Sequence, residues 1–298
     1  YVARAQPSEA RPDHLSVMWR SALITLALTL AGCAAPPSTA PADRDVGEPN
    51  AVETRLATDL VTVLVYNIHH GRGADGRIDL ERIAEVIRAA DPDLVALQEV
   101  DRFTERAHGL DQLAILAEAT GMHGAYGDAM PYDGGAYGVA MLSRWPIADA
   151  RKHRLPYSTG HEPRVALAGR PKAPPPLGPF LFVTTHFQHD SADDRERQAR
   201  RLGTLFSQVA IPCIIAGDFN AEPDDAPITH LTQHWTDAAA ALDPRPTWPA
   251  EAPTVRIDYV FVTDDWTPSA AQVIDETMAS DHRPVMVKLR RRSTGESP

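Results

Sequence analysis

The sequence predicts an α/β fold, and three features of it do so. Residues 61–66 (V-T-V-L-V-Y) are rich in β-branched side chains, a helix-periodic stretch follows from Asp79, and residues 93–98 (D-L-V-A-L-Q) read as strand again. Strand, helix and strand with short joints make a parallel βαβ unit. Residues 211–216 (I-P-C-I-I-A) are apolar without alternation, as in a strand covered on both faces, and Gly217 stops the run just before Asp218 and Asn220. Several other apolar runs also end on polar residues, and open α/β sheets build their sites at the carboxyl ends of strands.

Taken in order, the strand at 61–66 ends at Asn67, with Ile68-His69-His70-Gly71 behind it. Asp79 is placed to cap a helix whose apolar positions Leu80, Ile83, Ala84 and Ile87 fall at i, i+3, i+4 and i+7, and Pro92 ends it. The strand at 93–98 delivers Glu99 and Asp101. Residues 111–120 read as a second helix, closed by Gly121. Residues 138–143 and 147–155 are expected to be two antiparallel strands joined tightly through Arg144-Trp145-Pro146. Residues 164–168 and 180–185 read as two more, separated by the proline-rich loop 171–179, and the second ends at His186. Ser191 or Asp193 caps a charged helix reaching about Val209, which leads into the strand at 211–216. Two further strands are read at 256–263, with Asp258 near the start, and at 284–289, preceded by Ser280-Asp281-His282. Two halves that each begin with strands and a helix hint at an internal duplication.

The length and an apolar content of 43% suit one folded domain over residues 60–291, with 292–298 as a tail. A formal net charge of -11 argues against a protein that binds polynucleotide by neutralising many phosphates. Residues 1–17 carry no periodicity and are expected to be an extension ahead of Met18. Residues 18–33 have one arginine and then an apolar run too short to span a bilayer comfortably, which reads as a secretory signal. Its ending, Leu30-Ala31-Gly32-Cys33, resembles a bacterial lipobox, which implies a lipid anchor at Cys33. Residues 34–59, rich in Ala, Pro, Asp and Glu, read as a flexible tether. Cys213 is then the remaining thiol, expected to be a buried small hydrophobe, and no disulfide framework is available.

The polar residues at strand ends are Asn67, Glu99, His186, Asp218, Asn220, Asp258, Asp281 and His282. Asp218 and Asn220 are two apart, so in an extended segment they point the same way while Phe219 points back into packing. Carboxylate and amide oxygens suit hard divalent cations, whereas zinc asks for more closely spaced His or Cys, and no H-E-x-x-H occurs. The set therefore points to Mg2+, with Mn2+ as the alternative. Asp258 and His282 suggest a carboxylate that orients an imidazole. There is no G-x-S-x-G, so attack by water is the simpler chemistry.

Other residues have two readings each. Arg102, Arg106 and Arg164 either receive an anionic substrate or pair with the many acids. His69 and His70 either contact metal or phosphate or are exposed loop residues. Tyr137 reaches the phosphate or packs. Trp235 and Trp248 form a lipid- or sugar-facing rim or belong to the core.

The segments Y-N-I-H-H-G, L-Q-E-V-D, Y-G-V-A-M-L-S-R, T-T-H, G-D-F-N, R-I-D-Y-V-F and S-D-H-R-P-V occur in the order found in the endonuclease/exonuclease/phosphatase superfamily, which the chain resembles over roughly residues 60–290. The resemblance implies a four-layer α/β/β/α sandwich with two packed mixed sheets and metal-dependent cleavage of a phosphate ester. It implies Glu99 as the principal metal ligand, with Asn67 and Asp281 near the metal. Asp218 would orient or deprotonate the attacking water, and Asn220 would be its partner in holding water and phosphate. His186 and His282 would donate to the phosphate, His282 paired with Asp258, and Arg164, Arg106 and His69 are further candidates for phosphate binding. The group that serves the leaving oxygen stays open between Asp218, His282 and Tyr137.

The function expected is a cell-envelope, Mg2+-dependent phosphodiesterase acting on a small or lipid-linked diester. An extracytoplasmic nuclease is the alternative, and a non-catalytic binding module on the same fold is a third. The expected partners are the phosphate-ester substrate and the membrane that receives the lipid anchor. Nucleic acid is not favoured, because there is no basic stripe with interleaved aromatics, and no obligate protein partner is evident.

Overall fold

The computed structural model of the protein describes residues 58–292. The extension at 1–17, the signal and lipobox at 18–33, the tether up to 57 and the tail beyond 292 lie outside the described residues.

Twelve strands and four helices follow one another among the described residues. They are β1 (Leu60–Asn67), α1 (Leu80–Ala90), β2 (Leu94–Arg102), α2 (Gln112–Thr120), β3 (His123–Tyr132), β4 (Gly135–Ser143), β5 (Ile147–Arg154) and β6 (Val165–Pro171). Then come β7 (Leu181–His186), α3 (Ala192–Phe206), β8 (Cys213–Asp218), α4 (Ala226–Leu231), β9 (Thr236–Asp237), β10 (Asp258–Val262), β11 (Trp266–Val273) and β12 (Val285–Arg291). The strands form two six-stranded sheets, ordered β11-β12-β1-β2-β4-β3 and β5-β6-β7-β8-β10-β9.

Both sheets repeat one pattern. Each has a single parallel pair at its centre, β1 with β2 and β7 with β8, and every other pairing is antiparallel. The helix that joins each parallel pair, α1 or α3, packs on the outer face of its own sheet. The repeat that the sequence hinted at is therefore present as topology.

The layers follow from side-chain alternation. Val63, Val65, Ala96, Met141, Leu167, Phe182, Ile214, Ala216 and Val260 fill the space between the sheets. Leu64, Tyr66 and Leu97 point the other way, onto Ile83, Ile87 and Leu116 of α1 and α2. Val183, Ile215 and Phe261 meet Leu202, Phe206, Ile228 and Leu231 of α3 and α4. Strands covered on both faces must be apolar at every position, which is why β1 and β8 carry no polar alternation. Cys213 is fully buried within β8, and burial holds its thiol pKa up.

Two readings of the sequence change. Residues 138–143 and 147–155 are not a hairpin: β4 lies between β2 and β3 in one sheet, and β5 is the edge of the other. Arg144-Trp145-Pro146 carries the chain across the sandwich, and Arg144 Nε, donating to Asp93 Oδ1 at 2.8 Å, pins the end of β4 to β2. The charged, mostly exposed β5 suits an edge, whereas β4 is buried over most of its length. The α3 helix ends at Phe206 rather than near Val209, and its cap is Ser191, whose side chain accepts from the Asp194 N–H. Strands β3 and β11 and the short α4 had no clear signal. Gly124, Gly127 and Pro131 interrupt β3 and Pro268 interrupts β11, both of them edges where proline is tolerated, and α4 has only six residues.

Candidate active site

The two parallel strand pairs deliver their last residues to one volume. Asn67 ends β1, His186 ends β7 and Asp218 ends β8, with His186 and Asp218 in register. Asp258 opens β10 directly opposite Asp218. Glu99 lies where the β2–β4 register slips between Leu97 and Val100, and its φ of 57° is left-handed, so the irregularity re-aims its side chain. Asn220 has φ 50°, and its N–H donates to Asp218 Oδ1 at 2.9 Å, while Phe219 between them is fully buried against Phe187, Tyr259 and Phe261. Gly217 is required by proximity: a Cβ there would lie 2.2 Å from the Thr185 carbonyl oxygen on β7. The loop carrying Asp281 and His282 is tied to β1 by Ser280 Oγ, which donates to the Asn67 carbonyl at 2.7 Å.

The geometry centres on Asp218 Oδ2. Asn67 Nδ2 donates to it at 3.0 Å and to Glu99 Oε1 at 3.3 Å, bridging the two carboxylates. His186 Nε2 lies 3.4 Å and His282 Nε2 3.7 Å from the same oxygen. Behind His282, Nδ1 donates to Asp258 Oδ2 at 3.0 Å, and Thr247 Oγ1 donates to that oxygen at 2.6 Å. Behind His186, Arg164 Nη1 approaches Nδ1 at 2.9 Å and Tyr137 OH at 3.3 Å. Arginine can only donate, so Nδ1 accepts and the ring proton sits on Nε2, facing Asp218. The Asn220 side-chain nitrogen donates to the Phe187 carbonyl at 3.1 Å and abuts His186 Nε2 at 3.0 Å. Both ring nitrogens cannot accept at once, and the contact to the charged Arg164 is the stronger claim.

Burial and charge set the protonation states. Burial opposes a charge on His282, but the Asp258 carboxylate overrides it through charge and hydrogen bond, with Asp218 and Asp281 adding, and its pKa is pushed up to about 10. Burial, then the Asp258 charge, moves the Asp218 carboxyl upward. Burial, then Arg164, holds His186 well below the usual imidazole range, so it is neutral. One imidazolium and one neutral imidazole therefore flank a carboxyl group of raised basicity. Tyr137 is buried and its pKa is raised by burial and then by Glu99, which keeps the phenol protonated.

These groups open into a cleft of about 610 Å³ whose walls include Glu99, Arg164, Asp281 and Trp248. Asp281 lines it beside Trp248, whose Nε1 donates to Asp281 Oδ2 at 3.4 Å, and its Oδ1 lies 3.6 Å from His69 Nδ1. Arg106 reaches the cleft wall while held bidentate by buried Asp101 and stacked 4.4 Å from the Tyr132 ring centroid. Arg102 is turned away and paired with Asp111. Trp235 is core, packed under α3 and α4, and only Trp248 of the two tryptophans borders the cleft. His70 is buried beside Glu99 instead of lying exposed on a loop, and burial, then Arg106, holds its pKa down to about 4. Glu162, His189, Arg195 and Tyr132 also line the cleft. They belong to none of the quoted segments and reach it from loops, from α3 and from the edge strand β3, positions without a local signature.

The residues present suit a divalent cation. Among the described residues, the only hydrogen bond reaching the Glu99 carboxylate, at the cleft wall, is the long one from Asn67, and no arginine or lysine is paired with it. A carboxylate so short of donors beside further oxygen groups is a cation-binding arrangement.

A helix–sheet–sheet–helix sandwich with carboxylates, amides and imidazoles gathered at the ends of both central strand pairs defines a phosphoesterase scaffold. Residues 64–282 match the Endonuclease/Exonuclease/phosphatase family, and the chain belongs to that family of divalent-metal-dependent phosphoesterases and nucleases. It is similar to the uncharacterized protein YbhP of Escherichia coli K12, with 27% identity over 248 residues, 76% of this chain and 95% of that one. It is also similar to the crystal structure of an endonuclease/exonuclease/phosphatase from Beutenbergia cavernae DSM 12333, with TM-score 0.67 and 30% identity over 78% of this chain and 72% of that one. The fold is shared with the mannosyl-6-phosphatase Bt3783 of Bacteroides thetaiotaomicron VPI-5482, with TM-score 0.63 and 22% identity over 77% of this chain and 99% of that one.

Proposed function

We propose that the chain is a divalent-metal-dependent hydrolase of small or lipid-linked phosphodiesters, acting with Mg2+ or Mn2+ by direct attack of water. One observation carries the reading: a single buried oxygen, Asp218 Oδ2, lies within 3.7 Å of both His186 Nε2 and His282 Nε2 while Asn67 links it to Glu99. Asp218, made more basic by burial, takes a proton from water at Oδ2. Asn220 and His186, the latter fixed by Arg164, hold the water and a phosphoryl oxygen beside it. His282, kept charged by Asp258, donates from Nε2 to the developing negative charge, and the leaving oxygen takes its proton from His282 or Tyr137. Glu99, with Asn67 and Asp281, would hold the divalent ion. When bound it supplies positive charge against the phosphoryl oxygens.

The cleft walls support a small ester over a polynucleotide. Glu99, Glu162, Asp218, Glu222, Asp225 and Asp281 outnumber Arg106, Arg164 and Arg195 along the cleft, an acidic balance that disfavours a long polyanion, and Tyr132 and Trp248 offer ring faces to a compact leaving group. The pattern at 18–33 supports placing the enzyme in a bacterial cell envelope, tethered through Cys33.

The test is turnover by the purified protein of bis(p-nitrophenyl) phosphate, sphingomyelin, phosphatidylinositol, plasmid DNA and RNA, each with EDTA and after Mg2+ or Mn2+ is restored. Hydrolysis of the small or lipid diesters, lost with EDTA and regained with metal, is expected. Faster turnover of DNA or RNA than of any small ester would instead favour the nuclease, and inertness toward every substrate would favour a binding module.

A further inference from the structure

We infer that His69 and His70 give imidazole nitrogen to the divalent ion held by Glu99, so that this centre takes a transition ion such as Mn2+ in preference to Mg2+. This rests on the reading of Glu99 as a metal ligand and deepens it by naming the class of ion. His69, His70 and Glu99 each present one donor atom, and the three lie within 4.8 Å of one another. One ion with bonds of roughly 2.1 Å spans about 4.2 Å between opposite donors, so the three need draw in by only about half an ångström to share it.

Two further observations point to a ligand there. His70 is only 8% exposed, and its buried Nδ1 has no hydrogen-bond partner among the described residues, lying 4.0 Å from Glu99 Oε2. A buried nitrogen and a donor-poor carboxylate thus face each other, each short of a partner that a cation would supply to both. The backbone is also unusual at all three residues: His69, His70 and Glu99 have φ of 46°, 45° and 57°, none of them glycine. Left-handed conformations at such residues persist only where the surroundings impose them, and they gather at functional sites. In His69 and His70 they occur consecutively, inside the short turn that follows β1, and set the two rings edge to face with centroids 4.6 Å apart. Imidazole raises affinity for Mn2+, Co2+ or Zn2+ over Mg2+, which favours oxygen and water. By contrast, the other clustered set, Asp218, Asp258 and His282, is joined by its own hydrogen bond between His282 Nδ1 and Asp258.

The experiment is pulsed electron paramagnetic resonance of the full protein loaded with Mn2+, made with natural and with 15N-labelled histidine. Modulation from directly bound 14N, replaced by 15N on labelling, is expected in the unsubstituted protein, so no variant has to fold for the main result. H69Q and H70Q should each remove part of the modulation, while H186Q and H282Q leave it intact. H70Q should weaken Mn2+ binding about tenfold or more, the scale at which even outer partners of a ligand act, and change Mg2+ binding much less. Mn2+ binding that E99Q abolishes but that carries no histidine coupling overturns the inference and leaves Glu99 as a ligand. Unchanged Mn2+ binding by E99Q overturns both.

Discussion

At the scale of single residues, the chemistry turns on what stands behind each imidazole. Asp258 holds His282 in its charged form against burial, whereas burial and then Arg164 hold His186 neutral, so two rings of one residue type are prepared for different work. In D258N the charge that outweighs burial is gone, and the His282 pKa falls from about 10 toward and below its ordinary value. The basic limb of the pH profile of kcat/KM should therefore move to lower pH, and at pH 8 the rate should drop by roughly 10²–10⁴-fold. An unmoved basic limb would remove His282 from the donor role. The main acids and imidazoles were legible as sequence because each stands next to an apolar run: Glu99, His186 and Asp218 follow one, and Asp258, Asp281 and His282 precede one. Glu162, His189, Arg195 and Tyr132 were not, since nothing near them in the chain marks them as facing the same cleft.

At the scale of elements, α3 positions the β7 side of the site. Its first turn carries Asp194, fully buried, which accepts from the Ser158 N–H at 3.1 Å, Ser158 Oγ at 2.9 Å and His161 Nδ1 at 2.6 Å, and pairs with Arg197. From the next residue, Arg195 Nη1 donates to the carbonyls of Gln188 and His189, holding the segment just beyond His186. Burial opposes the charge on Asp194, but the His161 and Ser158 hydrogen bonds and Arg197 outweigh it and hold its pKa well below the usual carboxylate range. A depressed pKa stabilises the folded state above the unfolded value of about 4, and that stability is lost as pH falls toward the folded pKa. D194N should cost about 2 kcal/mol at pH 7. The gap between it and the parent should shrink steadily below pH 4 in urea denaturation, and a pH-independent gap would mean that shape rather than charge is at work. The cap at Ser191 was readable in sequence. The separation of β4 from β5 was not, because a three-residue joint serves a hairpin and a step between sheets equally well.

At the scale of the whole molecule, the two sheets are held by one shared core, and the site straddles their parallel centres. Gln98 of β2 donates to Thr184 Oγ1 of β7 at 3.2 Å, a buried polar link from one sheet to the other. Phe182, fully buried between the sheets, touches that common core. F182A should lower stability by about 3–5 kcal/mol. Because both sheets depend on the same layer, far-UV circular dichroism and tryptophan fluorescence should still report a single urea transition. Separate transitions would show that the halves fold independently.

The chain alone determined the α/β class, the central strands and the polar residues that end them, since a strand covered on both faces tolerates no polar side chain until it reaches the edge of the core. The ordered segments then pointed to the family. Only the tertiary structure decided which sheet each strand joined and which groups met. Asn67 and His282 are 215 positions apart yet lie 3.5 Å from each other, and His70 beside Glu99 became visible only after a left-handed turn and a slip in strand register aimed them together. Local pattern records how a residue is buried, whereas its partner across the sandwich is chosen by the packing of distant strands, which leaves no mark on its neighbours in sequence.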